Sequence, residues 1–223
     1  MTVNIVEIFY SIQGEGKYLG SPMVFVRLAG CDVGCAWCDT DHALREELST
    51  EEAVQRIQSL ALPGSFVSLT GGEPLLQADA LKVMLPVLKE AGMRIFLETN
   101  GILYQAFSAV RPWIDAVSMD LKLPSSTLCR SFWAEHREML DMARGMDLFV
   151  KAVITAGTLK DDVQYAAELI ASVDHRIPLY LQPNTAELND GSLERCREFL
   201  PLCLEFLRDV RIVPQVHRLL GIH

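Results

Sequence analysis

The sequence lacks long apolar runs, and this absence limits where the protein can act. No stretch of 18 or more apolar residues occurs in the 223-residue chain, so a membrane-spanning helix is not expected. The first residues contain no basic region followed by a long apolar segment, so we expect no signal peptide. We therefore predict a cytoplasmic protein that does not contact a membrane.

The chain is also poor in basic residues. Its 20 Lys and Arg are outnumbered by 29 Asp and Glu, which gives a net charge of −9. Proteins that bind a phosphate backbone usually present a basic face, and no Lys/Arg cluster is visible here. Nucleic-acid binding is therefore not expected, and a small-molecule substrate or a protein partner is favoured.

Cysteine is sparse, and half of it is concentrated in one short segment. Three of the six cysteines, Cys31, Cys35 and Cys38, form a C-x3-C-x2-C pattern. In a cytosolic protein such thiols indicate a metal or catalytic site rather than disulfides. Three thiolates suit zinc or an iron–sulfur cluster. A 4Fe–4S cluster normally takes four thiolates, so three would leave one iron open. His42 could instead complete a structural Cys3His zinc site.

No linker or repeat interrupts the chain, and its pattern alternates short apolar runs with longer amphipathic ones. Half of the residues are hydrophobic, which suits one domain with a sizeable core. Strands are predicted at Pro22–Ala29, Ser65–Thr70, Arg94–Glu98, Ala116–Leu121, Leu148–Ile154 and Pro178–Gln182. Helices are predicted at Thr50–Leu60, Leu75–Ala91, Ile102–Val110, Ser126–Arg144, Leu159–Val173 and Ser192–Arg208. This alternation predicts an α/β fold whose parallel sheet is open or rolled into a barrel.

Polar or glycine-rich segments follow nearly all of the predicted strands. In parallel α/β folds, functional residues gather at the carboxyl ends of the strands. We therefore expect these segments to converge on one mouth. They are the cysteine segment, Thr70–Pro74, Glu98–Gly101, Ser118–Lys122 and Gln182–Asn184.

The cysteine pattern resembles that of the radical S-adenosylmethionine (SAM) enzymes. In that family a C-x3-C-x-aromatic-C motif holds a 4Fe–4S cluster, and Trp37 occupies the aromatic position here. The Gly71-Gly72-Glu73-Pro74 turn resembles the family's GGEP motif, which binds the SAM ammonium. Taken alone, this turn could be an ordinary connection between strand and helix. The resemblance implies a partial (β/α)6 TIM-like barrel, a 4Fe–4S cluster and SAM as cofactors, and 5′-deoxyadenosyl radical chemistry.

Further segments narrow the resemblance to one group within that superfamily. Ser11–Gly16, Phe25–Cys31 and Asp39-Thr40, together with the SMDLKLPSS run, closely resemble the 7-carboxy-7-deazaguanine synthases. The resemblance implies ring contraction of 6-carboxy-5,6,7,8-tetrahydropterin with loss of ammonia, in deazapurine (queuosine) biosynthesis. It also implies one core domain over residues 1–223 with a short amino-terminal substrate-binding extension. A homodimer and a reducing partner such as flavodoxin or ferredoxin are expected as well.

The same resemblance assigns the site residues. The expected SAM contacts are Trp37, Asp39, Gly72, Glu73, Glu98, Ser118, Asp120, Lys122, Gln182 and Asn184. The expected substrate contacts are Ile12, Gln13, Gly14, Arg27, Thr70 and His223, and Mg2+ is expected at Thr40. By strand alternation Arg27 shares a face with Phe25 and Ala29, where it could bind a substrate carboxylate or form an internal salt bridge.

Two other functions remain open on the sequence alone. A radical SAM activase that abstracts hydrogen from a partner protein would share the cysteine and glycine motifs. It would give no reason for Gln13, Arg27 and Thr40 to occur together. A zinc-binding protein without catalysis would explain the cysteines and His42 but not the polar strand ends.

Overall fold

Nine strands form a single sheet in the described part of the chain. The computed structural model describes residues 1–62 and 64–222. The strands are β1 (Thr2–Ile12), β2 (Pro22–Leu28), β3 (Glu46–Ser49), β4 (Phe66–Gly71), β5 (Arg94–Thr99), β6 (Ala116–Asp120), β7 (Asp147–Ile154), β8 (Leu179–Pro183) and β9 (Val210–Ile212).

The strand order is β3-β1-β2-β4-β5-β6-β7-β8-β9. Parallel pairing runs without interruption from β2 to β9, whereas β1 pairs antiparallel with both β2 and β3. The sheet is open between its end strands, β3 and β9. The predicted parallel α/β fold is thus confirmed, and each of the six predicted strands lies within one residue of its observed bounds. The sequence pattern missed β1, β3 and β9.

The helices alternate with the parallel strands. They are α1 (Thr50–Leu60), α2 (Ala78–Glu90), α3 (Tyr104–Val110), α4 (Pro124–Thr127), α5 (Trp133–Met142), α6 (Lys160–Asp174), α7 (Ser192–Leu204) and α8 (Val216–Leu220). The predicted helix Ser126–Arg144 is wrong, because the chain breaks at Leu128. That residue adopts a left-handed conformation (φ 59°) and separates α4 from α5.

The two faces of the sheet carry different side chains. Residues that point outward, such as Leu69 and Leu97, pack against the helices in the main hydrophobic core. The inward-facing side chains near the amino ends of the strands form an aromatic layer, against which Tyr18 packs. Its strand residues are Phe25, Phe66, Phe96, Phe149 and Tyr180. Since side chains alternate along a strand, the next inward positions on these five strands lie two residues further on. Those positions are polar: Arg27, Ser68, Glu98, Lys151 and Gln182. The fold therefore places a polar layer directly above an aromatic floor.

No helix in the described residues is both long enough and apolar enough to cross a membrane.

Candidate active site

A cavity opens above the polar layer, at the carboxyl ends of the parallel strands. Its walls include the cysteine loop (residues 29–45), the β1–β2 loop (residues 13–21) and helix α8. The predicted site residues that line it are Ile12, Gln13, Gly14, Arg27, Cys31, Cys35, Trp37, Cys38, Asp39, Thr40, Thr70, Gly72, Glu98, Ser118, Asp120, Lys122 and Gln182. Glu73 and Asn184 are not among the lining residues, and His223 lies outside the described residues.

The cysteine loop has no regular secondary structure and is fixed by backbone hydrogen bonds. Gly30 N donates to His42 O at 2.9 Å, which closes the base of the loop. Cys38 N donates to Cys35 O at 3.1 Å, so these two cysteines lie within one turn. The thiols of Cys31, Cys35 and Cys38 are free, and all three residues line the cavity. Burial raises the pKa of Cys35 to about 11 and also raises the pKa of Cys31.

The glycine turn after β4 packs directly against the start of the cysteine loop. Gly72 N donates to Leu28 O at 3.1 Å, and Glu73 N donates to Gly30 O at 2.9 Å. A Cβ atom added at Gly72 would lie 1.8 Å from Gly30 O and 3.0 Å from the Cβ of Cys31. Only a residue without a side chain permits this approach. The turn and the first cysteine therefore form one rigid unit.

Glu73 lies beneath this turn rather than in the cavity. Its buried carboxylate accepts hydrogen bonds from Leu75 N at 3.0 Å, from Thr99 Oγ1 at 2.8 Å and from Asn100 N at 2.8 Å. Burial raises the pKa of Glu73 to about 7, an increase that these three donors oppose. The side chain ties the glycine turn to the end of β5, and any contact of Glu73 with SAM stays a prediction. Asn184 likewise serves a turn, since its side chain accepts from Ala186 N at 3.2 Å.

Glu98 connects the floor of the cavity to the β1–β2 loop. Its carboxylate accepts from Ser68 Oγ at 2.7 Å and from Gln13 Nε2 at 3.1 Å. Burial raises the pKa of Glu98, although Lys151 opposes the rise. Gln13 and Glu98, which the sequence placed in the substrate and SAM sets respectively, are therefore in direct contact.

The end of β6 presents a charged group next to the cysteine loop. Lys122 Nζ donates to Asp120 Oδ2 at 2.8 Å and lies 5.0 Å from the centre of the Trp37 ring. The other carboxylate oxygen, Asp120 Oδ1, is buried without a hydrogen-bond partner, and so is Gln182 Oε1. Buried polar atoms are nearly always hydrogen-bonded. Two orphaned acceptors in one cavity therefore indicate that a ligand with donor groups belongs there.

Lys151 and Glu15 are site residues that the sequence reasoning missed. Lys151 projects from the middle of β7 into the cavity and forms a buried ion pair with Glu15 of the β1–β2 loop. Burial alone would raise the pKa of Glu15, but Lys151 and Gln215 hold it below its ordinary value. The available signal was strand alternation, which places Lys151 on the same face as Phe149.

Helix α8 closes the cavity from the carboxyl-terminal side. Val216 N donates to Gly14 O at 3.0 Å, and a Cβ atom at Gly14 would lie 2.0 Å from His217 Nδ1. Gln215 Nε2 donates to Glu15 Oε1 at 2.8 Å and to Asp39 Oδ2 at 3.1 Å. Helix α8 thus joins the β1–β2 loop to the cysteine loop. The sequence predicted none of these contacts.

Arg27 and Thr40 both line the cavity. Arg27 Nε donates to Glu7 Oε1 at 2.7 Å, since Glu7 of β1 is the register partner of Arg27 on β2. The internal salt bridge that the sequence left open is therefore present. Arg27 and Thr40 also line a second cavity, so both residues belong to the wall that the two cavities share. Thr40 Oγ1 donates to Asp39 Oδ1 at 3.3 Å.

The residues present fit a cluster and SAM better than a single zinc ion. Among residues 1–62 and 64–222, no three His, Cys, Asp or Glu side chains are arranged to hold one metal ion. In a 4Fe–4S cluster each thiolate binds a different iron, so the thiols do not need to meet at one point. The orphaned oxygens of Asp120 and Gln182 offer acceptors to a cofactor that carries amino and hydroxyl groups.

Comparisons with known proteins agree with this geometry. The model of the Radical SAM superfamily matches residues 25–173. The chain is 35% identical over 240 residues to the 7-carboxy-7-deazaguanine synthase of Geobacter sulfurreducens, covering 96% of each chain. It is 33% identical over 243 residues to the synthase of Methanopyrus kandleri, covering 97% of this chain and 93% of the relative. The crystal structure of QueE from Escherichia coli has the same fold, with a TM-score of 0.68, 24% identity, and coverage of 97% of this chain and 95% of that one.

Proposed function

The chain belongs to the radical SAM superfamily and, within it, to the 7-carboxy-7-deazaguanine synthases, and from this premise we propose that it converts 6-carboxy-5,6,7,8-tetrahydropterin to 7-carboxy-7-deazaguanine with loss of ammonia. The observation that carries the proposal is the convergence of two sets of residues on one cavity. The cysteine loop, the glycine turn and the orphaned acceptors form one side. Gln13, Gly14 and Arg27 form the other.

The first set suits the cofactors. When bound, a 4Fe–4S cluster with one open iron and SAM supply a 5′-deoxyadenosyl radical, which side chains cannot provide. Cys31, Cys35 and Cys38 would hold the cluster, and the backbone of the glycine turn would bind SAM. Asp120 and Gln182 would accept hydrogen bonds from SAM through the oxygens that lack partners. Lys122 links the cysteine loop to Asp120, since it bonds to Asp120 and lies over the Trp37 ring of that loop.

The second set suits a pterin that carries a carboxylate. Arg27 offers a planar guanidinium that can bind a carboxylate in a bidentate manner. Gln13 and the backbone of Ile12 and Gly14 can bond to the edge of the ring. Thr70 is the register partner of Arg27 on the next strand and reaches the same wall. The task of these residues is to hold the carbon next to the carboxylate in one position relative to the radical source.

Thr40 is the proposed Mg2+ ligand. Magnesium often takes only one or two protein ligands and keeps several waters and substrate oxygens. Thr40 lines the same cavity as Arg27 and its hydroxyl bonds to Asp39, so it could bring Mg2+ to the substrate carboxylate. The metal would anchor the substrate beside the guanidinium.

Several wider features belong to the same proposal. Residues 1–223 would act as one radical SAM core domain, whose amino-terminal segment carries part of the substrate site. We expect a homodimer in the cytoplasm that takes electrons from a flavodoxin or ferredoxin. The net charge of −9 supports the absence of a nucleic-acid partner.

Metal analysis and turnover together test this function. After anaerobic purification we expect about four irons and matching sulfide per chain, and a deazapurine product from the carboxypterin in the presence of SAM and Mg2+. One zinc per chain with no sulfide would support the non-catalytic zinc protein. SAM cleavage without a deazapurine would instead support the activase that acts on a partner protein.

A further inference from the structure

Lys151 places one charge at the boundary between the two halves of the cavity. It projects inward from β7, with Phe149 of the aromatic floor below it and Val153 above. Its side chain is 11% exposed. Such a buried ammonium is costly unless carboxylates surround it.

The carboxylates around Lys151 belong to different halves of the site. Glu15 forms the close ion pair and belongs to the β1–β2 loop, next to Gln13 and Gly14 on the substrate side. Asp120 Oδ2 lies 3.7 Å from the ammonium, on the SAM side. Asp120 is also the register partner of Lys151 on the neighbouring strand, so the sheet fixes their separation. One ammonium thus connects both halves.

Glu15 uses both of its oxygens to hold the β1–β2 loop. Oε2 receives Lys151, and Oε1 accepts from Gln215 Nε2 at 2.8 Å. The loop is thereby fixed to β7 at one oxygen and to helix α8 at the other. The same arrangement fixes the side chain of Gln13, because its Oε1 accepts from Glu15 N at 3.1 Å while its Nε2 donates to Glu98.

Stability alone explains this arrangement poorly. Replacing a buried ion pair with apolar groups of similar volume is often neutral or stabilising, so such pairs are weak evidence for a stabilising role. The surroundings of Lys151 include an aromatic layer that would accept a methionine. A charge that connects two loops across a cavity is better explained by the orientation it imposes on them.

We infer that Lys151 is a positioning residue that fixes the β1–β2 loop relative to the SAM side, so that the radical reacts with the pterin and not elsewhere. This inference rests on the proposed function. Without Lys151 the loop would lose its anchor to β7 inside the cavity, although Lys17 and Tyr18 would still join it to Asp147 at the start of β7. The pterin would then be held less often next to the radical source. SAM cleavage would then proceed with the reductant supplying one electron, and a thiol S–H or activated C–H bond of the buffer or the protein supplying the hydrogen atom to the 5′-deoxyadenosyl radical. Methionine and 5′-deoxyadenosine would accumulate without ring contraction.

The test compares one double variant with a matched control. Lys151→Met alone leaves Glu15 buried without its cation and could unfold the chain. Glu15→Gln combined with Lys151→Met removes both charges and keeps the volumes, so it should fold. Lys17→Met is the control, because Lys17 also joins the β1–β2 loop to β7, through a 2.5 Å pair with Asp147, but both of these residues lie outside the cavity lining.

We expect the double variant to load iron normally and to keep its KM for SAM. Its KM for the pterin should rise at least tenfold, and the ratio of 5′-deoxyadenosine to deazapurine should rise by a similar factor. The control should retain the parental values of both. A double variant with a parental pterin KM and product ratio would show that Lys151 is structural and overturn the inference. An unaltered protein that makes no deazapurine would overturn the proposed function, and this inference with it.

Discussion

Replacing Gly72 with alanine should separate the glycine turn from the cysteine loop. The added Cβ would lie 1.8 Å from Gly30 O, whereas ordinary contacts begin near 3.4 Å. The opposing atoms are the backbone carbonyl of Gly30 and the Cβ of Cys31, and neither can rotate away to relieve the overlap. The two segments would have to move apart by about 1.6 Å, the shortfall in that contact.

The cost follows from that movement. Overpacking of this kind costs roughly 1–3 kcal/mol, and losing the bond from Glu73 N to Gly30 O adds about 1 kcal/mol. For a domain of this size each kcal/mol lowers Tm by roughly 2–4 °C. We therefore expect Gly72→Ala to lower the Tm of the metal-free protein by roughly 5–15 °C. Because Cys31 is next to Gly30, the variant should also bind less iron.

Gly34→Ala is the matched control within the same loop. No atom lies within 4 Å of a Cβ added at Gly34, and its φ is not positive. Its Tm and iron content should equal those of the unaltered protein. Thermal unfolding of the metal-free proteins and iron and sulfide assays after anaerobic reconstitution give the comparison. A Gly72→Ala protein with unchanged Tm and iron would refute the close packing of the turn against the cysteine loop.

Three further predictions concern single side chains. Arg27→Ala should raise the KM for the pterin at least tenfold while SAM is still cleaved, and equal loss of both activities would make Arg27 structural. Gln182→Leu removes an orphaned buried oxygen, so thermal unfolding should show a metal-free protein at least as stable as before. Equilibrium dialysis against the reconstituted variant should nevertheless show weaker SAM binding, and unchanged affinity would place Gln182 outside the SAM site. Burial lowers the pKa of His136 to about 4, so its imidazole stays neutral in the native state at pH values where the unfolded state binds a proton. The free energy of unfolding therefore falls as the pH drops from 6.5 towards 4. The loss from this residue amounts to roughly 3 kcal/mol. His136→Gln can keep the bond to Asn100 O and should weaken this acid sensitivity in denaturant titrations; an unchanged pH dependence would contradict the assignment.

The sequence predicted the parallel strands because their local signals are strong. Each predicted strand is a short apolar run followed by polar or glycine-rich residues, and the observed bounds differ by one residue at most. The same alternation predicts which side chains share a face. The polar ends therefore meet in one cavity, as expected for a parallel sheet.

The helix break at Leu128 shows where local pattern fails. The predicted helix Ser126–Arg144 contains neither glycine nor proline, so its own composition did not predict a left-handed residue. Contacts distant in sequence decide the conformation there. Ala36 N donates to Thr127 O at 3.0 Å, and Cys129 Sγ lies 3.5 Å from Gly34 O. The α4–α5 connection is shaped by the cysteine loop that it supports.

The ion-pair partners of the buried charges could not be predicted from the sequence for a similar reason. Arg27 pairs with Glu7, and Lys151 with Glu15, because β1 lies antiparallel to β2 and delivers the β1–β2 loop to the cavity. Strand β1 was not among the predicted strands. Unless β1 is recognised, its register with β2 cannot be predicted. The carboxylates that pair with Arg27 and Lys151 then cannot be identified either.

The most direct test of the central claim is product formation with SAM as the limiting component. The purified, reconstituted protein is supplied anaerobically with reductant, Mg2+, excess 6-carboxy-5,6,7,8-tetrahydropterin and a smaller amount of SAM. The family resemblance implies that the rearranged pterin radical recovers hydrogen from 5′-deoxyadenosine and SAM is restored, so 7-carboxy-7-deazaguanine should exceed the SAM supplied, with one ammonia per product. SAM cleavage in a protein with a full cluster, but without any deazapurine, would contradict the account.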